Sequence, residues 1–360
     1  MGQPTRDALA EQPEEQTSNA IAISAILTAI VALSLAAIFI RLSEYELGPL
    51  ATIFNRFWIA FLGLWFFERL KAVRSPHREI PARSYTHRDR LLLVAAGVSF
   101  WSCLALWAAS LTVTGVANST ILHNLTPLFI TLGAWLLFGQ RFDRQFLLGL
   151  VLALGGATAL GLGDLQVAAG SFTGDIAALL SALFSAANLM LIEKLRPKFP
   201  ATTIILWCCA IGATISFPAV LLFEDRLFPV SLSGWLAVVG LAVVCQIVGQ
   251  GLQAYSLKQL PSGLVGIFLL LDPVLAALIA WAAFAERLSL FNWFAFGVVL
   301  LGIYLAKCSR YASDALDRTP ECEMGDRRTD LTVNAPQPLP HRLNLQKFIS
   351  FKSRPYRTTV

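Results

Sequence analysis

Long apolar runs alternate with short charged joints along this chain. Ten windows of about 20 apolar residues emerge, the length needed to cross a hydrocarbon core of about 30 Å as a helix. They cover 20–40, 48–67, 91–111, 117–139, 145–163, 173–192, 202–223, 234–256, 262–285 and 289–307. Composition agrees: 56 % of the 360 residues are hydrophobic and 14 % charged, where a soluble domain carries about a quarter charged residues. The pattern predicts an all-α integral membrane protein with ten transmembrane helices.

The windows are not independent. Pro127 and Pro273 stand 146 residues apart (273 − 127), and the same offset carries Leu132 to Leu278, Ala134 to Ala280 and Trp135 to Trp281 without a gap. It also carries Phe138 to Phe284, Arg141 to Arg287 and Gly156 to Gly302. Residues 20–163 and 173–307 are therefore two copies of one five-helix unit. Five is odd, so the second copy starts on the opposite side of the bilayer and the repeats are inverted. Such repeats place a substrate site near the midplane between them.

Charge sets the orientation. Seven Lys and Arg lie in the 68–90 joint, seven in the other joints of that side and ten from Lys307 onward, against Arg41, Arg226 and Arg287 on the other side. The positive-inside rule then predicts both termini in the cytoplasm of a multi-pass protein of the cell (inner) membrane. Residues 1–19 are polar and acidic, unlike a signal or transit peptide, and are expected to be a disordered cytoplasmic segment ahead of a retained first helix. Residues 308–360, basic and poor in apolar residues, are expected to form a disordered cytoplasmic tail. Of six cysteines, Cys103, Cys208, Cys209 and Cys245 fall in apolar windows as small packers, and none has zinc spacing.

Ionisable groups at mid-membrane cost about 2.5–3.5 kcal/mol on insertion scales and are candidates for function. Arg56, about 13 Å into the second window at about 1.5 Å per residue, is either a strut or a substrate contact. Asp272, in the ninth window, is either a neutral acid bonded to a neighbour or a coupling or gating acid. In "ANSTILHNLTP", Ser119, His123 and Thr126 share one helix face, with Thr120 and Asn124 on the adjacent one. His123 and Asn124 are either packed structural residues or lining of a substrate cavity. Pro127 and Pro273 break their helices, because neither can donate to the carbonyl four residues earlier, His123 and Leu269 respectively. Those carbonyls are expected to stay free for ligand or water. Gln246, Gln250 and Gln253, at i, i+4 and i+7 with Tyr255 nearby, are read as cavity lining. Ser181, Ser185 and Asn188 are read as interhelical glue, and Trp101 and Trp107 as packing or interface anchors.

The sequence resembles the drug/metabolite transporter superfamily in its EamA-type branch over about residues 20–307. The likeness is carried by "NRFW" at 55–58, "TPLFITLGAWLLFGQRF" at 126–142 and "GDIAALLSALFSAAN" at 174–188. It continues in "AYSLKQLPSGLVGIFLLLDPVLAALIAWAAFAERLS" at 254–289. Two departures stand out: Gly139-Gln140-Arg141 where the family has Gly-Glu-Arg, and Asp272-Pro273 where it has Glu-Pro. The resemblance implies a transporter that exports or exchanges small metabolites or drugs.

No phosphate-binding loop, zinc-protease, acid-rich or nucleophile-elbow motif occurs. The expected function is secondary transport of a small organic metabolite by alternating access, with no metal or cofactor. The expected partners are that substrate, the lipid bilayer and protons as a coupling ion, with no nucleic acid. A membrane-embedded enzyme acting on lipid or isoprenoid, and a channel, are the rival classes.

Overall fold

The computed structural model describes residues 6–74, 85–114, 116–163, 172–284 and 290–312. Ten helical passes follow in order. Helix α1 is Arg6–Ser34 continued as Ala36–Ser43, α2 is Pro49–Arg74 and α3 is His87–Val113. Helix α4 has two pieces, Val116–His123 and Thr126–Phe138, and α5 is Arg144–Gly163. Helices α6 and α7 are Phe172–Leu195 and Ala201–Phe223, and α8 is Leu232–Ser256. Helix α9 again has two pieces, Ser262–Leu269 and Asp272–Phe284, and α10 is Leu290–Lys307. Among the described residues, nine passes are long and apolar enough to span a membrane, and in α5 the shorter stretch Arg144–Leu160 is apolar. The expected tail from residue 313 onward and residues 75–84 of the 68–90 joint lie outside the described residues. The polar N-terminal segment differs from expectation: it is helical from Arg6. Its Ala, Glu and Gln are good helix formers, and extending an existing helix avoids the cost of nucleation.

The two broken helices show the duplication most directly. Adding 146 to Val116–His123 gives Ser262–Leu269, and adding it to Thr126–Phe138 gives Asp272–Phe284. Both breaks have a two-residue turn followed by a proline at the second position of the next piece. Proline removes a helix hydrogen bond and clashes with the carbonyl four residues back, which favours a break at each site, although α7 carries Pro218 in its interior without one. Packing obeys the same two-fold relation. Helix α3 packs on α6 and α7, and its repeat mate α8 packs on α1 and α2. Helices α2 and α7, α4 and α9, and α5 and α10 pair with their own mates across the axis. At the last pair the repeat mates Gly156 and Gly302 allow close approach. A Cβ on Gly156 would sit 2.9 Å from Val299 N, and one on Gly302 would sit 2.7 Å from Gly149 O. Small residues at such crossings let backbones meet where no hydrophobic force between helices exists.

Burial is arranged for lipid. Phe66, Leu137, Leu222 and Phe223 are exposed while Asn55, Ser181, Ser216 and Gln246 have no exposed surface. The cysteines of the apolar windows are buried and free, and Cys308 is exposed. Trp101 Nε1 donates to Ser216 Oγ at 2.9 Å, tying α3 to α7, and Asn188 Nδ2 donates to Ala96 O at 2.9 Å, tying α6 to α3.

On the side opposite the N-terminus, two loops cap one another's helices. Glu224, at the end of α7, accepts from Leu50 N at 2.7 Å and Ala51 N at 2.9 Å, at the start of α2. Glu46, before α2, accepts from Val230 N at 2.9 Å and Ser231 N at 3.0 Å, at the start of α8, and from Ser231 Oγ. Carboxylates suit these positions because helix N-termini present unsatisfied N–H groups and a positive dipole end. The Ser231 hydroxyl, with the Ser231 and Val230 amides, holds the Glu46 carboxyl below the usual glutamate range.

Candidate functional site

Residues from both halves converge on the two breaks and on the interior faces of α2, α3 and α8. In α4, Thr126 Oγ1 donates to His123 O at 2.8 Å. This corrects the expectation that Pro127 leaves the His123 carbonyl free: the threonine one residue before the proline supplies the missing donor. His123 Nδ1 shares a hydrogen bond with Ser181 Oγ at 2.8 Å, and its ring lies 5.6 Å from that of Trp107. Ser119 bonds Ser110. Two buried donors of this group, Trp107 Nε1 and Asn124 Nδ2, have no protein partner. A buried polar group left unpaired costs about 1–3 kcal/mol, so such atoms mark places where a ligand or water completes the bonding.

The second half mirrors this with different chemistry. Asp272 stands where α4 has Thr126, and its Oδ1 is buried without a partner. Gln253 is the repeat mate of Trp107, and its Oε1 is also buried without a partner. The equivalence of these last two is supported by their neighbours: Ser110 Oγ donates to Trp107 O at 2.7 Å, and Ser256 Oγ donates to Gln253 O at 2.8 Å. Trp107 was expected only to pack or anchor. Its place in the repeat, opposite a glutamine, was the signal that it belongs with the polar set.

Helix α8 is not α-helical throughout. Leu241–Gln250 is a π-helix, whose bonds run from i to i+5. The i, i+4, i+7 spacing of Gln246, Gln250 and Gln253 therefore does not set one shared face. Gln246 and Gln253 are buried, Gln250 is half-buried, and Tyr255 is exposed within electrostatic reach of Arg196. The π stretch absorbs one extra residue. The helix caps Thr86 and Ser231 are 145 apart (231 − 86), whereas Ser110 and Ser256 are 146 apart (256 − 110). Within this stretch Gln246 Oε1 accepts from Arg56 Nε at 2.7 Å, and Gln246 Nε2 lies 3.6 Å from Cys209 Sγ. Arg56 and Asp272 form no ion pair, although Cys245 lies within electrostatic reach of both. Among the described residues no group of three or more His, Cys, Asp or Glu is placed to hold a metal.

The sequence profile of the EamA-like transporter family matches residues 20–162 and again residues 172–307. The chain belongs to the EamA-like transporter family. Among the proteins similar to this EamA-like chain are two uncharacterized transporters of Archaeoglobus fulgidus. One is 27 % identical over 219 residues, covering 61 % of this chain and 76 % of the relative. The other is 24 % identical over 280 residues, covering 76 % and 93 %. The uncharacterized transporter YetK of Bacillus subtilis is 23 % identical over 245 residues, covering 66 % and 73 %. A crystal structure of another protein superposes with a TM-score of 0.67 at 20 % identity, over 81 % of this chain and 96 % of that one, which establishes a shared fold. This EamA-like protein is thus a multi-pass membrane transporter, and its ten helices form two inverted five-helix repeats. Its setting is the lipid bilayer and its cargo a small molecule.

Proposed function

We propose that this transporter is a secondary exporter or exchanger of a small organic metabolite, alternating access between its inverted halves. Residues 20–163 and 173–307 are the two units, both termini face the cytoplasm, and the cell's inner membrane is the setting. Support comes chiefly from one observation: the helix breaks of α4 and α9 coincide in the repeat, and unpartnered buried polar atoms collect on and beside them. Inverted transporters use broken helices in this way, with freed polar groups around a midplane site. Asn124 and Trp107 supply donors from one half, with the His123 ring beside them, and Gln253 an acceptor from the other. Asp272 is the coupling or gating acid, taking a proton from one side and releasing it to the other as access alternates. Proteoliposomes test the mechanism. Vesicles preloaded with unlabelled metabolite should take up labelled metabolite with a transient overshoot and a saturable rate. Flux that rises linearly with concentration, without counterflow, would mark a channel instead.

A further inference from the structure

Arg56 is a buried cation with no matching acid. Its Nε is held by the amide oxygen of Gln246 at 2.7 Å, and its Cζ lies 5.8 Å from the centroid of the Phe100 ring. The ionisable groups within its electrostatic reach are the thiols of Cys103, Cys209 and Cys245, on α3, α7 and α8. No carboxylate stands within ion-pair distance of it among the described residues. A neutral amide satisfies one N–H of the guanidinium and none of its charge. The remaining N–H groups form a planar fork that fits a carboxylate or phosphate group bidentately.

Two further features separate this arrangement from a simple strut. The extra residue of the π stretch lies in the segment that carries Gln246, and single π turns inside helices recur at functional sites. Arg56 also keeps 5 % of its surface exposed, where its neighbours Asn55 and Phe57 and its partner Gln246 keep none. Its neighbours come from α3, α7 and α8. We propose that Arg56, positioned by Gln246, is the subsite for an anionic group of the ligand. The transported metabolite then carries a carboxylate or phosphate, and this substrate class rests on the transport mechanism proposed above. Gln246 is a positioning residue: an amide orients the guanidinium and leaves its charge for the ligand, where a glutamate would neutralise it.

The test is binding by the purified full-length protein in detergent micelles and a low-salt zwitterionic buffer. Melting is followed by tryptophan fluorescence with sodium pyruvate, sodium malate, glucose 6-phosphate, glucose, putrescine and sodium chloride. At least one anionic metabolite should raise the melting temperature saturably, while glucose and putrescine do not. In Gln246→Glu the half-saturating concentration should rise at least about tenfold, the loss expected for a charge-assisted hydrogen bond. The ligand-free melting temperature of that variant should hold or rise, because its charges pair. Arg56→Lys keeps the charge, loses the fork and should weaken binding by a smaller factor. Stabilisation by glucose or putrescine alone, or by none of the anions, would overturn the proposal. So would anion binding undiminished in Gln246→Glu, which would leave Arg56 a strut. A response to chloride alone would assign the subsite to an inorganic ion and overturn the substrate class. Because the readout is binding, a protein that binds these anions yet shows no counterflow would sink the transport mechanism and leave the subsite standing.

Discussion

At Thr126 a hydroxyl bonds the His123 carbonyl at 2.8 Å; at Asp272, the same position of the other half, a carboxyl oxygen is buried with no partner. The backbones of the two breaks agree to the residue, so the difference lies wholly in side-chain chemistry. A hydroxyl is donor and acceptor at once and closes its own break at any pH. A carboxyl can donate only while it holds a proton. At this position the first break is thus closed by its own side chain, although Asn124 in the same turn keeps an unpartnered donor. The second has a bonding capacity that depends on proton occupancy. The same geometry occurs twice, and the residue before the proline differs between the copies. The same division appears in α3 and α8: the first is α-helical throughout, while the second carries a π stretch that places Gln246 against Arg56.

Removing the asymmetry should have the largest effect. Asp272→Thr gives α9 the residue of α4, and Asp272→Asn keeps the shape without titration. Both should abolish accumulation driven by a proton gradient while sparing substrate-for-substrate exchange. Uptake by either variant that still concentrates substrate with unchanged pH dependence would dismiss Asp272 as the coupling group. A smaller effect is expected on the other side of the comparison. Thr126→Val leaves the His123 carbonyl without its donor and should cost about 1 kcal/mol, seen as a lowered melting temperature with pH dependence of transport intact. A Thr126→Val protein as stable as wild type would show that water substitutes for the hydroxyl.

The smallest effect concerns the reciprocal caps. The folded protein holds Glu46 in its charged form, so its stabilising contribution is present above the ordinary glutamate range. It is lost as pH falls through the lowered folded value. Glu46→Gln should therefore melt slightly below wild type at pH 7, and the gap should close in acid, below about pH 4.3. A gap that is constant with pH would mean that the contact acts by packing alone.

Much of this was legible in the chain. Proline removes one bond from a helix ladder, so Pro127 and Pro273 pointed to both breaks, and the 146-residue offset that pairs them identified the repeat. Pro218, inside the unbroken α7, shows that proline alone does not decide a break. The π stretch was not legible: the offset moves from 145 to 146 between the two ends of α3 and α8, but the caps and hydroxyl bonds that match those ends belong to the folded structure. A spacing rule applied within α8 alone assumes a regular α-helix, which Leu241–Gln250 is not. The Thr126 bond to His123 lay three residues away and was still missed, because proline's effect on the carbonyl was considered without the side chain next to it.

What the sequence determined by itself is therefore what depends on neighbours along the chain: apolar length, repeat phase, helix breaks and the inversion that follows from an odd number of passes. The tertiary structure alone decided which groups meet across the bundle. Arg56 finds Gln246 at a separation of 190 residues, and Leu50 finds Glu224 at 174. Periodicity fixes the face on which a side chain stands, but its partner depends on how helices distant in sequence rotate and cross. Those angles are set by the summed packing of many side chains, and no local window contains them.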